Sequence, residues 1–178
     1  NPEKGILRCN YNMMAFSGSG ERVRPGPSRR SKEISLVTEK ALASVLDLSE
    51  FPNTVIDVFI ELLQTDAGTR CAGITAAIMA LADAGLIMKD IVSAVSVGLV
   101  GDKVVADLNK EEEDFEGGAV DIPIAMAHND SKITLMQLDG LIKKEQLFEA
   151  LEIAKNACSN IYEVQKKALM EKFTQNGI

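Results

Sequence analysis

The stretch QTDAGTRCA, residues 64–72, decides the fold because it joins two different hydrophobic patterns. Before it, apolar residues at alternate positions of 54–64 predict a strand with one buried face. After it, an Ala-rich run from Thr69 to Ala84 predicts a helix, with Gly85 as its C-terminal stop. A strand, a glycine turn and a helix in this order place the turn at the carboxyl edge of a sheet, where ligands commonly bind.

The same turn has the composition of an anion-binding site. A helix N-terminus presents unpaired backbone N–H groups and the positive end of the helix dipole, both of which favour phosphate. Thr69 adds a hydroxyl and Arg70 a guanidinium group. A simpler interpretation is that Thr69 only caps the helix and that Arg70 points to solvent. Whether the turn binds an anion or only starts a helix depends on which other charged residues the fold places beside it.

An arginine pair precedes this turn in the chain. Residues 17–27 are rich in Gly, Pro and Ser and predict a loop, after which Ser28 is a candidate N-cap. The following helix, Arg29 to Leu48, carries Arg29 and Arg30 in its first turn. Positive charges at that end oppose the helix dipole, and a bound anion would remove the conflict.

Composition and length indicate one soluble globular domain over residues 1–178, with 46% apolar and 25% charged residues. Three widely spaced cysteines and a single histidine, His128, favour a reduced, cytoplasmic location and argue against a zinc site. His128 itself is interpreted as a turn residue without a role. The near-apolar run 71–88 contains Asp83 and much alanine, so it predicts a buried helix and no membrane span.

The charges are distributed unevenly. The net charge of −7 alone argues against a nucleic-acid partner. However, residues 21–32 contain Arg22, Arg24 and three further basic side chains against one glutamate, whereas residues 102–121 contain eight acidic side chains against two lysines. A basic strip and an acidic segment on one small domain could be two halves of one site.

The remaining segments complete a mixed α/β (α+β) pattern. The predicted order is β-α-β-α-β-β-β-β-α, with helices packed on a mixed sheet that is at least partly antiparallel. The further predicted strands are residues 6–16, 91–99, 103–108, 120–127 and 132–139, and a long helix covers 143–173 with a possible break near Asn156.

Residues 110–118, KEEEDFEGG, form an acidic segment that connects two predicted strands. Such a segment is commonly a solvated surface turn. Next to an anion site, its carboxylates have two further uses: they hold a divalent metal ion or they transfer a proton to a leaving oxygen.

Several motifs together resemble those of the ribonuclease PH family. They are PSRR at 27–30, QTDAGTR at 64–70, DAG at 83–85, DLN at 107–109, EED at 112–114 and DIPIAM at 121–126. The resemblance covers nearly the whole chain in order and is closest to the catalytic ring subunit of the archaeal exosome. It implies a ribonuclease PH-like fold and a phosphorolytic 3'-to-5' exoribonuclease, in which inorganic phosphate attacks the last phosphodiester and releases a nucleoside diphosphate.

The resemblance also implies roles for individual residues. The implied phosphate-binding residues are Gly68, Thr69, Arg70, Arg29 and Arg30; the RNA-binding residues are Arg22, Arg24, Arg29 and Arg30; the catalytic residues are Asp114 and Asp121. Asp114 and Asp121 are also the candidate ligands of Mg²⁺, with inorganic phosphate as co-substrate. Because the catalytic segment is longer here than in many relatives, Glu113 could take the place given to Asp114.

The implied partners are single-stranded RNA, a paralogous non-catalytic ring subunit that completes a hexamer, and RNA-binding cap subunits. Family members carry further N-terminal strands, which this chain lacks, so the chain is expected to be N-terminally incomplete. Two alternatives stay open: a homohexameric enzyme of bacterial type that trims transfer RNA 3' ends, and a catalytically silent ring scaffold that only binds RNA.

Overall fold

The computed structural model describes residues 3–24 and 26–175. The expected domain 1–178 therefore includes six residues that lie outside the described residues. In chain order the elements are β1 Ile6–Met13, α1 Arg29–Ala43, a 3-10 turn Leu48–Glu50, β2 Val55–Leu62, α2 Thr69–Asp83, β3 Val92–Val100, β4 Lys103–Ala106, α3 Lys110–Glu113, β5 Ala119–Ala127, β6 Lys132–Met136 and α4 Lys144–Gln175.

The first two strands form a parallel pair that sets the position of the anion-binding turn. β1 and β2 pair along their whole length, from Ile6 opposite Val55 to Met13 opposite Leu62, and α1 packs against β1. In a parallel pair both strands end at the same edge. The loop after β1, which carries the basic strip, and the QTDAGTRCA stretch after β2 therefore share the carboxyl edge, as the sequence predicts for the turn.

The other four strands form a separate antiparallel sheet in the order β4-β3-β5-β6. The mixed α+β class is confirmed, but within the described residues the strands are hydrogen-bonded in two groups and not in the single mixed sheet that the sequence suggested. β3 is buried on both faces because alternate residues join different cores. Val92 and Ala94 pack with α1 and α2, whereas Val95 and Val97 pack with α4.

The C-terminal helix α4 runs without interruption from Lys144 to Gln175, so the predicted break near Asn156 is wrong. Ala150, Ala154 and Cys158 recur every four residues and are buried against the antiparallel sheet. Asn156 lies between them on the exposed side, where its low helix propensity costs only a fraction of a kcal/mol, roughly 0.7 at most.

The Ala-rich helix α2 is buried between the two sheets. Cys71, Ile74, Ile78 and Leu81 are almost fully enclosed, which confirms the prediction of a buried globular helix. Gly85 has a φ of +79° just after the helix and is the predicted C-terminal stop. Among the described residues, no helix combines the length and the hydrophobicity that a membrane crossing requires.

Candidate active site

A cleft of about 480 Å³ opens between the first turns of α1 and α2, the acidic segment, and strands β5 and β6. Five elements or their flanking loops contribute to it, and it brings the arginines of α1 and α2 together with the acidic segment. Its lining residues are Arg30, Glu33, Arg70, Glu113, Asp114, Ala119, Asp121, Pro123, Gln137, Leu138, Asp139 and Gly140. Of the basic side chains in residues 21–32, Arg30 alone is in this lining, and it meets the acidic segment there together with Arg70 of α2.

The turn before α2 has an unusual backbone. Ala67 and Gly68 both adopt left-handed conformations, with φ of +56° and +55°. Gly68 is the N-cap of α2 and provides no side-chain cap, so the interpretation of Thr69 as the cap is wrong. A residue without Cβ suits this conformation, whereas Ala67 adopts it against its steric preference. Backbone strain of this kind is concentrated at functional sites.

The side chain of Thr69 is hydrogen-bonded to a residue of strand β1. Its Oγ1 lies 2.6 Å from Oη of Tyr11, which is buried and 4% exposed. Burial raises the pKa of the Tyr11 phenol, while the nearby charges of Arg30 and Arg70 act in the opposite direction. Tyr11 is therefore a neutral hydroxyl that can donate to Thr69 and leave the Thr69 proton free for another acceptor.

Arg70 is enclosed at the cleft wall, with a side-chain exposure of 18%. Its Nη1 donates a hydrogen bond to Oε1 of Gln137, at the end of β6. Gln137 in turn donates from Nε2 to Oε1 of Glu33 on α1, at 2.6 Å. Glu33 also lies 3.9 Å from Nη1 of Arg70. The interpretation of Arg70 as a solvent-facing side chain is therefore wrong.

The two arginines at the start of α1 point in different directions. Ser28 caps the helix through a reciprocal capping box with Ser31, as predicted for the N-cap. Because successive helical residues are rotated by about 100°, Arg30 lines the cleft and Arg29 is exposed outside its lining. The sequence could not distinguish the two.

Arg22 and Arg24 are exposed on the loop that follows β1. Arg24 shares a small crevice with Arg30 and Tyr11, next to the turn that carries Thr69. Neither Arg22 nor Arg24 is among the residues that line the main cleft. The loop part of the basic strip, with Arg22 and Arg24, therefore borders the cleft from the side of β1.

Within the acidic segment, residues 110–113 form one helical turn, α3. Asn109 and Glu112 make a reciprocal capping box that stabilises this turn. The backbone N–H of Lys110 donates to Oδ1 of Asp66 at 3.0 Å. The acidic segment is thereby attached directly to the QTDAGTRCA stretch.

The neighbouring acids Glu113 and Asp114, at the end of this helical turn, have different surroundings. The Glu113 carboxylate is partly buried beside the start of α2. Burial raises the pKa of Glu113, the negative charge of Asp121 raises it further, and Lys110, Arg30 and the Gly68 N–H act in the opposite direction.

Asp114 lines the outer part of the cleft and is more exposed. Its Oδ1 pairs with Nζ of Lys110 at 2.6 Å, and the side chains of Asp114 and Lys110 are 62% and 56% exposed. The contacts thus place Glu113 at the inner position and Asp114 at the outer one. Glu111, on the same helical turn, is exposed.

Asp121 is placed by the antiparallel sheet. It lies on β5 opposite Gly98 of β3, and its Oδ1 accepts a hydrogen bond from Oγ of Ser96. A Cβ on Gly98 would lie 1.8 Å from the carbonyl oxygen of Val120, so only glycine allows β5 to approach here. Backbone hydrogen bonds in both directions tie Asp121 to Asp139 at 3.1 and 2.9 Å.

The cleft is lined by five carboxylates and two guanidinium groups, a formal excess of three negative charges. Within the described residues, no group of three or more His, Cys, Asp and Glu side chains is arranged to hold a metal ion. Asp114 and Asp121 would supply at most two carboxylates. That number suits Mg²⁺, which commonly takes one or two protein carboxylates and completes its shell with water and substrate phosphates.

Four residues of the site were not identified from the sequence: Tyr11, Glu33, Gln137 and Asp139. Glu33 lies one helical turn after Arg30, which is a usable signal because residues three apart share a helix face. Tyr11, Gln137 and Asp139 lie in or near strands without a local motif, so only the folded arrangement identifies them.

Two family models match consecutive parts of this chain. The model described as the 3' exoribonuclease family, domain 1, matches residues 1–86, and domain 2 of the same family matches residues 90–157. Together they cover most of the chain. The chain therefore belongs to the 3' exoribonuclease family, the ribonuclease PH family that its motifs resemble.

Among individual proteins, the chain is 51% identical over 172 residues to the exosome complex component Rrp41 of Pyrococcus furiosus, covering 97% of this chain and 68% of that protein. It is 48% identical over 174 residues to the protein of the same name from Nitrosopumilus maritimus, covering 98% of this chain and 70% of that protein. The similarity thus extends over both family domains.

Two solved structures share the fold. Rice Rrp46 has a TM-score of 0.80 at 23% identity, covering 95% of this chain and 75% of that one. A chain of the Archaeoglobus fulgidus exosome with RNA bound to the active site has a TM-score of 0.72 at 22% identity, covering 97% and 72%. These likenesses confirm the predicted ribonuclease PH-like fold.

Proposed function

We propose that this protein is a phosphorolytic 3'-to-5' exoribonuclease subunit of an exosome, which uses inorganic phosphate to release nucleoside diphosphates from RNA. The observation that carries the proposal is the meeting of Arg30, Arg70 and the N-terminus of α2 with Glu113 and Asp121 in one cleft. Membership of the 3' exoribonuclease family and about 50% identity to proteins named exosome component Rrp41 support it.

The phosphate site in this proposal is the turn at Gly68, Thr69 and Arg70, with Arg30 on the opposite wall. A free anion at the start of α2 gains from the helix dipole and from backbone N–H groups. The guanidinium of Arg70 adds up to two charge-assisted hydrogen bonds, and the Thr69 hydroxyl, supported by Tyr11, adds one more.

In the reaction, an oxygen of inorganic phosphate forms a bond to the phosphorus of the last RNA linkage, and the bond from that phosphorus to the 3' oxygen breaks. The products are a nucleoside diphosphate and an RNA shortened by one nucleotide, whose 3' oxygen takes up a proton. We assign the delivery of that proton to the inner acid Glu113, because burial keeps its carboxyl protonated to higher pH than usual. Asp114 remains the outer acid of the pair.

The net negative charge of the cleft repels an anionic substrate, and we propose that a bound Mg²⁺ ion would offset this charge. Asp121 and Asp114 would hold the ion, which when bound would supply charge neutralisation to the phosphate groups. The arginines bind and orient the anion, and Ser96 holds the Asp121 carboxylate in place.

Single-stranded RNA, a paralogous ring subunit and cap subunits are the proposed partners. The basic strip with Arg22 and Arg24 borders the cleft and would contact the RNA backbone. The name that the relatives carry favours an exosome ring over a homohexamer that trims transfer RNA.

The test is RNA degradation by the full-length protein, alone and together with a candidate ring partner. A 3'-labelled RNA is incubated with and without inorganic phosphate, and the released nucleotides are identified. Phosphate-dependent nucleoside diphosphates support the proposal. Nucleoside monophosphates formed equally well without phosphate would show hydrolysis, and no release with any partner would favour the scaffold alternative.

A further inference from the structure

Gln137 is the only side chain in the described part of the chain that is hydrogen-bonded to both Arg70 and Glu33. It lies just after β6, and its backbone N–H donates to the carbonyl oxygen of Pro123 on β5 at 3.1 Å. The side chain is partly buried at the cleft wall. The hydrogen bond to β5 therefore fixes the backbone position from which the Gln137 side chain extends.

The two ends of the amide have different partners. Oε1 accepts from Nη1 of Arg70, and Nε2 donates to Oε1 of Glu33 at 2.6 Å. An arginine can only donate and a carboxylate can only accept, so the amide cannot be reversed without losing both bonds. Glu33 thus sets the orientation of Gln137, and Gln137 sets the position of Arg70.

We infer that Gln137 is a positioning residue that aligns Arg70 for anion binding, with Glu33 as its anchor on α1. The inference rests on the proposed phosphate site. A guanidinium group has five N–H donors, and Gln137 occupies one of them from the wall side. The remaining donors stay available to the cleft, and less side-chain freedom is lost when an anion binds.

The neutral amide has a second consequence. Glu33 is 3.9 Å from Arg70, a distance at which a carboxylate competes with a bound anion for the guanidinium. Gln137 contacts both groups and donates a hydrogen bond from Nε2 to the Glu33 carboxylate, which gives that carboxylate a partner other than Arg70. A carboxylate in place of this amide would neutralise Arg70 directly and add negative charge to the anion site.

The experiment measures binding of inorganic phosphate to the full-length protein by titration calorimetry, without RNA. The variants are Gln137→Ala and Gln137→Glu, with Gln146→Ala as a matched control because Gln146 is a partly buried glutamine on α4 outside the cleft lining. Melting temperatures verify that each variant is folded. We expect phosphate affinity to fall about tenfold in Gln137→Ala, since a hydrogen bond to a charged group is lost.

Gln137→Glu distinguishes positioning from packing. Glutamate has nearly the same shape as glutamine, so a purely structural role predicts that it is tolerated better than alanine. The inference predicts the opposite: phosphate binds more weakly to Gln137→Glu than to Gln137→Ala. In an Arg70→Lys background, Gln137→Ala should weaken phosphate binding by less than about twofold, because its effect acts through the guanidinium group.

The outcomes separate this inference from the proposed function. If the native protein binds phosphate and Gln137→Ala binds it as the Gln146→Ala control does, the positioning role is refuted and the phosphate site stands. If the effect of Gln137→Ala is equal in the native and Arg70→Lys backgrounds, Gln137 does not act through Arg70. If the native protein binds no phosphate, the proposed function fails, and this inference fails with it.

Discussion

Replacing Glu113 by Gln should remove catalysis while retaining the shape of the cleft. The change keeps the side-chain length and an amide oxygen beside the start of α2, but it removes the titratable proton. The matched control is Asp114→Asn, one residue further along the same helical turn. If Glu113 is the proton donor, the two conservative changes should differ strongly in rate although they are adjacent in sequence.

The expected magnitudes follow from the surroundings of the two acids. Loss of a general acid lowers a rate by about a hundredfold or more, which corresponds to roughly 2.7 kcal/mol of transition-state stabilisation. Asp114 is mostly exposed and paired with Lys110 on the surface. Asp114→Asn removes one proposed Mg²⁺ ligand but no proton donor, so at saturating Mg²⁺ it should lower the rate less than Glu113→Gln does.

The pH dependence provides a second, independent readout. Since the folded protein raises the pKa of Glu113 mainly by burial, the ionised carboxylate destabilises the folded state. Below the ordinary glutamic acid pKa of about 4.3 the native protein and Glu113→Gln should be equally stable. As the pH rises through the raised pKa, the native protein should become less stable than the variant. Melting temperatures from pH 4 to 8 measure this difference.

The assay is nucleoside diphosphate release at saturating RNA and phosphate, with RNA affinity measured in parallel. RNA affinity should be kept or increased in Glu113→Gln, because a negative charge beside the backbone is removed. A hundredfold loss in Asp114→Asn with near-native Glu113→Gln would refute the assignment and return the catalytic role to Asp114. Equal losses of rate in both variants would indicate that catalysis depends on the total negative charge of the acidic segment and not on one carboxyl group.

The remaining predictions concern the anion site, the RNA path and the core. Arg70→Ala should raise the phosphate concentration needed for half-maximal rate about tenfold or more, with a smaller change for RNA, and phosphate titrations of the rate measure it. Neutralising Arg22 and Arg24 should reduce the slope of log RNA affinity against log salt concentration by the equivalent of up to two phosphate contacts. An unchanged slope would place Arg22 and Arg24 away from the RNA. Gln165→Ala should lower the free energy of unfolding by about 1 to 3 kcal/mol in urea titrations, because it leaves the buried hydroxyl of Ser93 without its acceptor.

Sequence patterns predict the parts of this protein whose cause is local. The alternating residues before Gly68 and the helical spacing after it predict the turn of the anion site, and Ser28 predicts the start of α1 to the residue. These features depend on backbone preferences and on interactions within a few residues. The motifs that resemble the ribonuclease PH family extend the prediction to the fold.

Features that depend on distant contacts are not predicted. Which of two neighbouring acids takes the inner position in the cleft depends on the rotation of a single helical turn, so Glu113 and Asp114 cannot be separated by pattern alone. Gln137 meets a partner 67 residues away and another 104 residues away. The division of the strands into two sheets is likewise a property of pairing between distant segments.

Transfer of labelled inorganic phosphate tests the central claim most directly. The full-length protein, with its ring partner, is incubated with unlabelled RNA and ³²P-labelled inorganic phosphate, and the nucleotides are separated. The account predicts that the label appears in the terminal phosphate of nucleoside diphosphates, and that Arg70→Ala and Glu113→Gln both reduce it. Shortening of the RNA without any labelled diphosphate would contradict the account, because phosphate would then not be the attacking group.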